Sequence, residues 1–70
     1  MSDLEGRILD AHEAGDKPAL VTLYAEASQQ ASDLDAACFF AVYAHTFALE
    51  IEHPLRTELH VFLKQHGREV

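Results

Sequence analysis

Apolar residues recur along this chain at helical spacing in four separate stretches, and in one of them the polar positions almost vanish. Leu4, Ile8 and Ala11 repeat at the spacing of one helical face, and Ser2 with Glu5 forms a capping-box pattern ahead of them. The first helix is therefore predicted over about 3–14, with Gly15 as its stop. Asp16 can cap a second helix that tolerates Pro18 in its first turn. Leu20, Leu23, Tyr24, Ala27 and Ala31 give that helix one face through about Gln30.

The third stretch differs in kind. Residues 36–49 contain no charge, glycine or proline, so a helix there is apolar around most of its circumference and must be central, with neighbours on several sides. Ser32 or Asp33 caps it, and it can run to about Glu52, because Pro54 disfavours helical backbone at His53. Rotation by about 100° per residue puts Ala37, Ala41, Ala44 and Ala48 on one narrow stripe of small residues where another helix can approach closely. Phe40, Phe47 and Ile51 lie beside it, and Phe40, Ala44 and Phe47 are expected to be among the most buried positions. Thr46, Glu50 and His53 share the opposite sector with Phe39, the aromatic that a core accounts for least. Pro54 opens a fourth helix, lined by Leu55, Leu59, Phe62 and His66 and ended by Gly67.

Loops this short between four helices predict antiparallel neighbours in an all-α fold with a long apolar third helix. A faint internal repeat relates residues 11–18 to residues 48–54 through Ala-x-Glu and a closing proline, each followed five residues later by a leucine, Leu23 or Leu59. Leu20, Leu23, Tyr24 and Ala27 on the second helix, with Ala36 and Phe40 on the third, resemble the large and small positions of a tetratricopeptide hairpin over residues 18–54. Tyr24 stands where that motif has a small residue, and Pro54 comes later than its closing proline. The resemblance implies a four-helix hairpin array that serves as a peptide- or protein-binding scaffold. It assigns no individual binding residue.

With 70 residues the chain makes one domain, of a size that hides only about 60% of the unfolded surface, so a second copy or a partner would add stability. The formal charge of −7 is uneven, since residues 1–37 hold eight acids against Arg7 and Lys17 alone. Such a surface repels phosphate backbones, which argues against nucleic acid and favours a basic protein partner. Cys38 lies inside the apolar run and reads as a small buried hydrophobe. The acidic start of the chain does not resemble a signal peptide, and residues 36–49 fall short of the ~18 residues of a membrane span. A cytoplasmic, membrane-free protein is the expectation.

Chemistry is sparse. Glu50 and His53 form a Glu-x-x-His pair, the motif of carboxylate-bridged metal bundles, which need two such pairs and two more glutamates. The five histidines, His12, His45, His53, His60 and His66, include no pair four residues apart on a helix. His45 is the notable one, a polar ring beside Cys38 and Leu49 on an apolar sector. No phosphate loop or triad is visible. The expectation is a non-catalytic interaction module without a cofactor, a homodimer whose contact surface is Phe39 with Val42 or Tyr43; the alternative is a small metal- or ligand-binding bundle using Glu50 and His53.

Overall fold

The computed structural model describes residues 3–68, and among them the fold is all-helical: α1 (Leu4–Ala14), α2 (Lys17–Gln30), α3 (Leu34–Ile51) and α4 (Leu55–Gln65). The capping signals act as the residue chemistry requires. The Asp16 carboxylate accepts the Ala19 N–H, and the Asp33 carboxylate accepts the Ala36 N–H at 2.8 Å, each satisfying a donor that has no partner inside the helix. Gly15 adopts a left-handed conformation at φ 67° and Asp16 N–H returns to the Ala11 carbonyl, which closes α1. The capping-box serine, Ser2, lies outside the described residues.

The end of α3 is made differently. Glu52 takes the left-handed conformation at φ 54°, although it carries a Cβ, and His53 N–H closes the turn on the Ala48 carbonyl at 2.8 Å. Pro54 then sits immediately before α4, one residue outside the helix it was expected to begin. The run 34–51 is 18 residues long, so α3 reaches the length and composition of a membrane span, contrary to the sequence expectation. The difference comes from Leu34, Asp35, Glu50 and Ile51, which extend the helix beyond its uncharged segment.

Each helix packs on its neighbours in sequence, with the largest interface between α2 and α3. The start of α2 lies beside the end of α3, where Lys17 Nζ meets Glu50 Oε1 at 2.7 Å; the end of α2 lies beside the start of α3, where the Ser28 hydroxyl donates to the Ala37 carbonyl at 2.7 Å. The resulting body is a slab, with Cα extents of 31 × 29 × 14 Å.

Two apolar clusters hold it. Val21, Cys38, Ala41, Ala44, Ala48, Leu59 and Leu63 join α2, α3 and α4, while Leu4, Ala11, Leu20, Leu23 and Ala27 join α1 to α2. The alanine stripe is the deepest part of α3: Ala41, Ala44 and Ala48 are fully buried, because small side chains let the flanking helices close on it. Phe40 and Phe47 are only half-buried, which corrects the expectation that these rings fill the centre. They lean along the edges of the interface, where a large ring fits beside a close helix contact. On α4 the buried pair is Leu59 and Leu63, whereas His66 is exposed and packs its ring edge-on against Phe62. Val21 lies off the periodic face of α2 and is nonetheless fully buried, since it packs into the cluster that α3 and α4 form on a second side of α2, away from α1.

Candidate functional site

Helical rotation leaves one sector of α3 that α2 and α4 cover only at its edges. Phe39 and Tyr43 stand there at 57% and 43% exposure, one turn apart, with ring centroids 5.1 Å from each other in an edge-to-face arrangement. Val42, on the same sector, is half-buried and packs against the α3–α4 cluster, so it borders the aromatic pair without sharing its exposure. Thr46 turns its hydroxyl back to the Val42 carbonyl at 2.9 Å, which spends its donor on the backbone and lowers the polarity of this face. Leu49 continues the sector at 55% exposure.

The exposed pair is anchored inward by rings. Tyr43 stacks on Tyr24 of α2 at 5.4 Å, Tyr24 stacks in turn on Phe47 and Phe40, and His12 of α1 meets both Tyr24 and Phe47 edge-on. The Tyr24 hydroxyl and His12 Nε2 are 2.9 Å apart, so three helices contribute to one aromatic group. Burial, reinforced by Tyr43, raises the pKa of Tyr24 and keeps its phenol protonated. Rotation of the third helix singles out Phe39 in the sequence, with Val42 or Tyr43 beside it, and of these Phe39 and Tyr43 are exposed. Sequence reasoning missed Tyr24 and His12 as their support, because that contact is made across helices.

The electrostatics of the sector are distinctive. Its carboxylates lie near its two ends, Asp35 and Glu50, and both are paired within the molecule: Asp35 with Arg68 beyond α4, Glu50 with Lys17 at the start of α2. A molecule carrying a net −7 thus presents a locally compensated strip between these pairs. Exposed pairs of this kind contribute little to stability, but they set the local charge.

No family model, curated protein or solved structure matches the chain.

The residues of the metal alternative are engaged elsewhere. Glu50 holds Lys17, and His53 Nδ1 accepts the Leu55 N–H at 3.1 Å, serving the turn into α4. Among the described residues no group of three His, Cys, Asp or Glu side chains is arranged to hold a metal ion. His45 is 5% exposed, and its ring lies 5.7 Å from that of His60 on α4. Burial, followed by the neighbouring His60, lowers the pKa of His45, so the ring is neutral at pH 7. Cys38 is buried, as its place in the apolar run suggested.

Proposed function

We propose that this chain is a small non-catalytic protein–protein interaction module, a tetratricopeptide-like array of antiparallel hairpins that works in the cytoplasm without cofactor, nucleic acid or membrane. Its contact surface is the open sector of α3, made by Phe39 and Tyr43 with Val42 at the edge, and its first partner is a second copy of itself. The observation that carries the reading is the exposed aromatic pair held by a three-helix ring cluster on a charge-compensated strip. Aromatic groups of low conformational freedom are efficient contact residues, and a thin domain gains by covering them.

Self-association through this sector favours an antiparallel two-fold pairing of α3 helices. That arrangement sets the Asp35–Arg68 end of one copy against the Glu50–Lys17 end of the other, so each cation meets a second carboxylate and the helix dipoles oppose. The flanking α2 and α4, with the ion pairs on α3, support a central-helix role for α3 over a membrane-spanning one. The metal-binding alternative has less support, since Glu50 and His53 already serve an ion pair and a turn.

Sedimentation velocity over a concentration series tests the proposal. The wild-type chain is expected to shift from monomer to dimer, and Phe39→Glu to remain monomeric with unchanged helical circular dichroism. A wild-type chain that stays monomeric at every concentration would remove the self-association reading.

A further inference from the structure

α4 packs mainly on α3 and shares with α2 the apolar cluster around Val21; beyond that cluster the two helices part, and the gap between them is a groove of about 580 Å³ on a different face of the molecule from Phe39. Leu34 and Ala37 of α3 form part of its floor, Ala25 and the α2–α3 loop form one wall, and Leu55, Leu59 and Phe62 of α4 form the other. Its volume falls within the range of ligand-binding clefts. The lining is mainly apolar, and among the described residues its only charged side chains are Asp33 and Glu58, both acidic. Asp33 uses one oxygen to cap α3, and Glu58 makes no hydrogen bond or ion pair among the described residues.

We infer that this groove binds a basic amphipathic peptide segment of another protein, its aliphatic side chains seated on Leu34, Leu55 and Phe62 and its Lys or Arg side chains reaching Asp33 and Glu58. The inference rests on the reading of the chain as an interaction module and adds a second, separate surface to it. Charge decides the occupant. An apolar wall with acidic groups at its rim is complementary to a helix or strand carrying leucines beside cations, the arrangement of helix-in-groove recognition. A second copy of this chain is a poor occupant. Lys17 and Arg68 belong to the α3 contact, and Arg7 and Arg56 pair with Glu26 and Glu52, leaving Lys64 as the one unpaired Lys or Arg among the described residues to meet the two groove carboxylates. The self-association proposed for α3 and the peptide groove therefore differ in both residues and chemistry.

Fluorescence anisotropy with a labelled synthetic amphipathic peptide of leucine and lysine tests this, with the same peptide carrying glutamate in place of lysine as the control. The lysine peptide is expected to bind, to weaken as salt is added, and to lose about tenfold in affinity, the equivalent of about 1.4 kcal/mol, with Glu58→Lys or with Leu34→Ser. Both residues are exposed, and circular dichroism checks that the variants fold. Phe39→Glu should leave peptide binding intact while abolishing the dimer, so the two readings fail separately. Equal binding of both peptides, binding of neither, or loss of binding in Phe39→Glu with no loss in Glu58→Lys would overturn the groove assignment.

Discussion

His45 carries a titration that the fold feels. Its ring is buried beside His60, and its pKa is held below the ordinary 6.5 by burial first and by His60 second. In the unfolded chain the ring takes up a proton near pH 6.5, whereas in the folded chain it does so only at lower pH. The unfolded state therefore binds more protons in that window, so His45 favours folding fully above it and progressively less as pH falls below about 6.5. The melting temperature of the wild type should drop between pH 7 and pH 5 more steeply than that of His45→Leu, which has no proton to take up; parallel profiles would place the pH sensitivity elsewhere. Depth distinguishes two other substitutions. Leu63→Ala should cost about 2–5 kcal/mol in chemical denaturation, since the side chain is fully buried, while Phe40→Ala should cost only about 1–2 kcal/mol from its half-buried ring. The depth of single residues was poorly legible in the sequence. Rotation correctly grouped Ala41, Ala44 and Ala48, but the size of Phe40 and Phe47 suggested depth, whereas a close helix contact is filled by small side chains and pushes rings to its margins.

Helix limits were legible because they are written in local chemistry. Asp16, Gly15 and Asp33 act within a few residues of themselves and need no tertiary partner. Faces contacted by two neighbours were not legible, and Val21 and Leu63 show why: each is buried by a helix whose position depends on the whole fold. The same reason hides the groove, which exists through the separation of α4 from α2, while the Phe39 sector follows from a single helix and could be read directly. The junction of α3 and α4 holds a correctable strain. Glu52 is left-handed at φ 54°, where a Cβ is unfavourable and glycine is preferred, and its pairing with Arg56 spans 3.9 Å in solvent. Glu52→Gly should accordingly raise stability by about 0.5–1 kcal/mol in urea denaturation. A loss of stability would mean that the Arg56 contact outweighs the backbone relief.

At the scale of the molecule, the neighbour-by-neighbour packing in a body 14 Å thick has a further consequence for how the chain opens. α1 packs chiefly on α2, through Leu4, Ala11 and Ile8 against Leu20, Leu23 and Ala27, with His12 reaching Tyr24 and Phe47 at its far end. Nothing requires it to detach together with α4, whose buried contacts are with α3 and Val21. Such a chain resembles a row of coupled segments more than a single cooperative core, and its amides should exchange with deuterium in a graded order, α1 first through local opening and the centre of α3 last. Uniform protection across all four helices would instead indicate one all-or-none unit. With graded opening, the detachment of α1 would uncover Leu20 and Leu23 while α3 and α4 remain folded, giving the chain a partly open form in which buried apolar surface on α2 becomes reachable without global unfolding.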